Sequence, residues 1–202
     1  PEEGRTAIVV SALLPPADRA AQTARHLAHL YNTNGQGAVQ ICLLADLKQA
    51  DFPEMPQDAS DIAAMMREVR RLNRRFGGAF VLRPREFSPT MQSYTGRERK
   101  RGAFTQLARA MRGGDASFLA FEGDMEALQR CKFILALDAD TGMLLDTASR
   151  LVGTALHPCN RPEVDGERRR VVRGYGVLTP RIGVALDSAN RTAFSRSMAG
   201  VG

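Results

Sequence analysis

A chain of 202 residues, 44% hydrophobic and 25% charged, has the composition of an ordinary folded protein and the length of one domain. No apolar run approaches the roughly 20 residues that a membrane-spanning helix needs, and no signal peptide precedes the first apolar stretch. The net charge of +6 is modest, Trp is absent, aromatics are 6% and no recognised nucleic-acid module is present, so no nucleic-acid partner is expected.

The positive charge is uneven, with basic runs at 67–75, 97–101 and 168–173. Such runs are solvated faces or contacts to an anionic partner. The cysteines, Cys42, Cys131 and Cys159, lack metal-ligand spacing. Cys42 and Cys131 sit in or beside apolar runs and read as reduced thiols of a reducing compartment. Pro1 at the start, and an end at 195–202 without a closing element, read as a piece of a longer protein.

In chain order, residues 6–14 form a β-branched and apolar strand stopped by Pro15 and Pro16. A helix over 17–31 follows, with Ala20, Ala24, Leu27, Ala28 and Tyr31 on one stripe. His26 and His29 have no neighbouring carboxylate and read as surface residues. Residues 32–37 are a turn, and 39–44 a second buried strand ending at Ala45-Asp46. Ile62, Met65, Met66, Val69, Leu72 and Phe76 mark an amphipathic helix over about 60–76, closed by Gly77-Gly78.

Residues 79–82 are a third strand, followed by a polar loop to Gly96. The next helix, over about 97–112, turns Phe104, Leu107, Ala108 and Met111 inward and ends at Gly113-Gly114. Arg97, Arg99, Lys100 and Arg101 crowd its start, where the helix dipole favours anions. A phosphate bound there would relieve the crowding; plain solvent exposure is the alternative. A short apolar stretch at 118–121 and a short helix over 124–130 lead to the run 133–137, which has no polar interruption. That run reads as a strand buried on both faces in the centre of a parallel sheet. A helix over 145–156, a polar loop over 159–170 and apolar stretches at 171–178 and 181–186 complete the chain. Strands alternating with helices predict an α/β fold, a mainly parallel sheet with helices on both faces.

Asp138 and Asp140 follow the run 133–137 directly, and would share one face if the strand continued. Two carboxylates that close need a cation or donors to neutralise them. Hard divalent ions accept such oxygens, and Mg²⁺ binds one or two carboxylates plus substrate phosphates. At the carboxyl end of a strand in an open α/β sheet, the pair points to a metal–phosphate site. A turn or a helix start is the plain alternative.

Glu98-Arg-Lys-Arg-Gly102, Leu137-Asp-Ala-Asp-Thr141, Arg150-Leu-Val-Gly153, His157-Pro-Cys-Asn-Arg161 and Gly174-Tyr-Gly-Val-Leu-Thr-Pro-Arg181 occur in this order. Together they resemble the cyclic β-1,2-glucan synthases over most of the chain. The resemblance implies a family-84 glycosyltransferase domain, similar to inverting family-2 enzymes, with the Rossmann-like GT-A nucleotide-diphospho-sugar transferase fold. It implies UDP-glucose as donor, with Leu14 near the nucleoside, Asp46 at uracil and Lys100 and Arg101 facing the nucleotide. Asp138 is then at the ribose or sugar, and Asp140 is the ligand of Mg²⁺ or Mn²⁺. It further implies a glucan acceptor and a large parent chain at the bacterial inner membrane, with this domain on the cytoplasmic side.

The chain departs from the family pattern at Ala45, at Gly142-Met-Leu-Leu-Asp146 and at Asp187. An inverting transferase needs a general base to deprotonate its acceptor. In the resembled family that carboxylate follows the segment where this chain stops, so no catalytic residue is assigned here and a donor-binding half-site is expected. Two other readings stand beside this one. A haloacid-dehalogenase-like phosphatase would use Asp138 as nucleophile, but Gly142 stands where its motif needs Thr or Val. A non-catalytic nucleotide-sugar-binding or regulatory module is the other.

Overall fold

The computed structural model describes residues 2–36, 38–181, 183 and 192. The chain divides into two compact units, Pro1–Gly153 and Thr154–Gly202, where the sequence predicts a single domain.

In the first unit, strand β1 (Thr6–Leu13) leads through a 3-10 turn (Ala17–Arg19) into helix α1 (Ala20–Asn34). Strand β2 (Val39–Asp46), helix α2 (Asp58–Asn73) and strand β3 (Gly78–Arg83) follow. A small hairpin, β4 (Glu86–Ser88) with β5 (Ser93–Thr95), precedes helix α3 (Arg99–Met111). Strand β6 (Ala120–Glu122), helix α4 (Met125–Gln129), strand β7 (Phe133–Asp138) and helix α5 (Thr147–Leu156) come next, the boundary between the units falling after Gly153 within α5. The central sheet has five strands in the order β6-β3-β2-β1-β7. All neighbours are parallel except β6, which runs antiparallel to β3. This is the expected α/β architecture, Rossmann-like and of the GT-A kind.

Strand alternation assigns the two faces. Ile8 and Val10 of β1, Ile41 and Leu43 of β2, and Phe80 and Leu82 of β3 point to one side. Leu27 and Leu30 of α1 and Met65 and Val69 of α2 cover them. Ala7, Val9, Cys42, Leu44, Ala79 and Val81 point to the other side, under Ala103, Leu107 and Met111 of α3 and Leu128 of α4. Tyr31 and Phe76 stack at 4.1 Å and close the first layer. Burial pushes the Cys42 thiol up to about 12 and the half-buried Cys131 thiol to about 11, which disfavours the thiolate at both.

Several expectations need correction. Among the described residues β7 is an edge strand, not a central one. Leu135 and Leu137 pack into the core on the α1 side, while Ile134 and Ala136 lie on the face that α3 and α4 cover elsewhere in the sheet but leave open at this edge, and are exposed. The unbroken apolar run is thus half solvated. Gly78 does not close a helix. It opens β3, and its amide donates to Asn73 Oδ1 at 2.6 Å, so the side chain of the last residue of α2 caps the turn. The segment before Gly96 is not all loop, because it holds the β4–β5 hairpin. His26 is half-buried rather than superficial: its Nε2 is buried without a hydrogen-bond partner, and burial lowers its pKa, with His29 adding to the effect.

The second unit contains a short antiparallel hairpin, β8 (Glu163–Asp165) with β9 (Arg170–Arg173), whose residues are mostly exposed. Its Gly174 has φ +70 and lies so close to Arg161 O that no Cβ fits. The apolar stretch expected at 181–186 and Asp187 fall, apart from Arg181 and Gly183, outside the described residues.

Candidate functional site

The sheet order places the site. The chain lays β2 and β3 on one side of β1 and then returns to lay β7 on the other, so the order reverses between β1 and β7. Open α/β sheets hold ligands outside the carboxyl ends of their strands at such a reversal. Register pairs Ser11 of β1 with Asp138 of β7, and Leu13 with Asp46 of β2, which in turn pairs with Arg83 of β3. Alternation turns all five side chains to the α3 side of the sheet. The start of α3 overhangs this row.

Two ion pairs organise it. Asp46 and Arg83 form a bidentate pair, Nε to Oδ1 at 2.7 Å and Nη2 to Oδ2 at 2.8 Å, with side chains 14% and 3% exposed. Lys100, in the first turn of α3, reaches across to pair with Asp138 through side chains that are 48% and 60% exposed. The structure therefore brings Lys100 and Asp138 together. Asp46 sits nearby but is held by Arg83. Arg101 turns outward, where it pairs with Glu98 at 3.0 Å. Leu14 lies at the same edge, and its amide donates to Asp46 O at 2.8 Å, but its side chain is buried in the α1 layer. The preceding Leu13 is the exposed apolar side chain at the end of β1, 58% exposed.

The two aspartates do not share a strand face, because β7 ends at Asp138 and Ala139-Asp140 form a turn closed by Thr141 N donating to Asp138 O at 3.0 Å. Among the described residues no group of three or more His, Cys, Asp or Glu side chains gathers as a metal cage. Two exposed carboxylates in an open turn suit a hard divalent ion that keeps water and takes its other ligands from a diphosphate.

An open cleft of about 630 Å³ lies beside the β4–β5 hairpin and residues 95–99, and neither Asp138 nor Lys100 lines it. It flanks the start of α3 on the hairpin side, so strand ends and charge, rather than cavity size, place the site.

The main residue that sequence reasoning missed is Arg83. The signal was present in a lone charge ending the apolar run 78–82, just before Pro84. The chain is 32% identical, over 204 residues, to the cyclic β-(1,2)-glucan synthase NdvB of Rhizobium meliloti (strain 1021). This chain is homologous to a segment of that synthase. The alignment covers 97% of the chain and spans 7% of the length of that protein. No protein-family model matches the chain. Among the described residues no helix is long and apolar enough to cross a membrane.

Proposed function

We propose that the chain is the donor-binding part of an inverting, processive glucosyltransferase that uses UDP-glucose to build cyclic β-1,2-glucan. The observation that carries this reading is the meeting of Lys100 and Asp138 at the reversal of strand order, in a chain homologous to part of a glucan synthase. The Lys100 ammonium faces the diphosphate and offsets its charge. Asp138 accepts from ribose or sugar hydroxyls once Lys100 turns to the phosphates, an exchange open to an exposed pair. The backbone at Asp46 and Leu14 borders the nucleoside end, with the Asp46 carboxylate held by Arg83 and the Leu14 side chain buried behind it, and Arg101 adds positive charge at the rim. A Mg²⁺ or Mn²⁺ ion, when bound at Asp140, stabilises the charge that develops on the departing diphosphate. The acceptor hydroxyl requires a general base, to which the proposal assigns no residue of this chain. The glucan acceptor, the remainder of a large parent chain and a place on the cytoplasmic face of the bacterial inner membrane belong to the same reading.

Calorimetric titration with UDP-glucose, with and without Mn²⁺, tests it. The expected result is metal-dependent binding that Asp140→Asn abolishes without lowering the melting temperature. Binding that never depends on metal would withdraw the metal assignment and leave a non-catalytic nucleotide-sugar module. A covalent phosphate on Asp138, formed from a phosphomonoester, would replace the proposal with a phosphatase.

A further inference from the structure

Arg83 has more partners than a stabilising ion pair requires. Beyond its two bonds to Asp46, its Nη1 donates to Arg97 O at 3.0 Å and its Nη2 to Arg99 O at 2.9 Å. These carbonyls belong to the turn that starts α3, where Glu98 and Arg99 have φ of 53 and 47, a left-handed conformation that non-glycine residues adopt only at a cost. Both carbonyls accept from a guanidinium that is itself fixed to the end of β2. Gly96 completes the fit, since a Cβ there would come within 2.7 Å of the Asp46 carboxylate. Lys100 is the residue immediately after this turn.

We infer that Arg83 is a positioning residue: it holds the strained turn at residues 97–99 so that Lys100 is delivered to Asp138. The planar guanidinium is what makes this possible. It presents donors in a fixed fork, two to the carboxylate and two to the carbonyls, whereas a lysine at this position is a point charge that can meet Asp46 but not both carbonyls. A residue that merely stabilised the fold would change stability and leave the Lys100 environment of the folded protein unaltered. The inference uses the proposed site only in taking Lys100 as the group that meets the diphosphate.

The test separates these roles with Arg83→Lys, which keeps the charge beside Asp46. The lysines of the chain are Lys48, Lys100 and Lys132, and all are exposed, so Lys48 and Lys132 are internal references. Lys100 acetylation in the ligand-free protein should be slowed by its pairing with Asp138. In Arg83→Lys it should rise about two- to fivefold, the range an exposed ion pair supplies, matching Asp138→Asn and leaving Lys48 and Lys132 unchanged. UDP affinity should fall about tenfold in Arg83→Lys, and adding Lys100→Ala should cost nothing further, because the two changes remove one interaction. If Arg83→Lys does not fold, Arg83→Gln, which keeps two N–H donors without charge, takes its place. A folded variant whose Lys100 reacts at the wild-type rate would overturn the inference. Faster Lys100 acetylation in a protein whose wild type binds no UDP would uphold the positioning role and overturn the nucleotide reading instead.

Discussion

The two ion pairs at the carboxyl end of the sheet use the same chemistry for different ends. Arg83–Asp46 is enclosed by β2, β3 and the start of α3, and its donors and acceptors are engaged within the protein. Lys100–Asp138 lies in the open, each partner about half solvated. A buried pair that loses one partner leaves a charge that neither water nor protein can satisfy, whereas an exposed pair loses little when broken. The first pair is thus scaffold, and the second can be surrendered to a ligand at small cost. A site that binds a charged ligand needs both, a fixed frame and a contact free to exchange.

The largest effect that could break this comparison is on stability. Asp46→Ala should lower the unfolding free energy by about 3–5 kcal/mol, because it strands Arg83, while Asp138→Ala should change it by no more than about 1 kcal/mol. Urea denaturation of the two variants measures the difference, and equal losses would remove the distinction between frame and contact.

A second buried pair sharpens the point. Arg85 is buried, and its guanidinium meets Asp58 at the start of α2, Nη2 to Oδ1 at 3.1 Å, while Nη1 also donates to Pro53 O at 3.2 Å. The Arg85 hydrogen bonds hold the Asp58 carboxyl below its ordinary value of 3.8 against the opposing effect of burial. A depressed carboxyl pKa contributes stability that is fully present above the unfolded value and disappears as pH falls through the folded one. Asp58→Asn should therefore cost about 3 kcal/mol at pH 7, and the gap from wild type should narrow in urea melts taken from pH 4 downward. A gap independent of pH would separate Asp58 from Arg85.

Leu135→Ala, on the core side, should destabilise by about 2–3 kcal/mol, and Ile134→Ala, on the open side, by less than about 1 kcal/mol. Equal costs would indicate that the outer face of β7 is covered. The smallest effect belongs to His26. Its folded pKa is below the ordinary 6.5, so protonation opposes folding, and stability falls as pH drops from 6.5 toward the folded value. His26→Leu should remove the unpartnered nitrogen, add about 1 kcal/mol and flatten that pH dependence in thermal melts.

Strands β1 and β7 show how far the sequence could be read. Both are apolar runs of similar length, and both were legible as parallel strands, as was the α/β layering that alternates them with amphipathic helices. Periodicity could not tell that Val9 would lie beneath α3 and Ile134 would not, because burial of a strand face depends on which helix crosses it. The hairpin at 86–95 escaped notice because strands of three residues carry too few alternations to register. At the site, Asp138 and Lys100 were legible as chemistry but not as partners, since they are 38 residues apart and only the fold of α3 over the sheet joins them. Arg83 was missed for a related reason. A charge at the end of an apolar strand reads as the strand's exit, and its burial follows from carbonyls on a turn that sequence spacing does not reveal.

The central claim is that a nucleoside diphosphate sugar binds at the carboxyl ends of β1 and β7. Amide chemical-shift mapping of the isotope-labelled chain during addition of UDP-glucose and diamagnetic Mg²⁺ reads this position residue by residue. Binding there shifts the amides of Ser11, Leu13, Asp46, Lys100, Asp138 and Asp140 most, with those of α2 unchanged. Shifts confined to the open cleft at Phe87 and Met91, or none at saturating UDP-glucose, would contradict it.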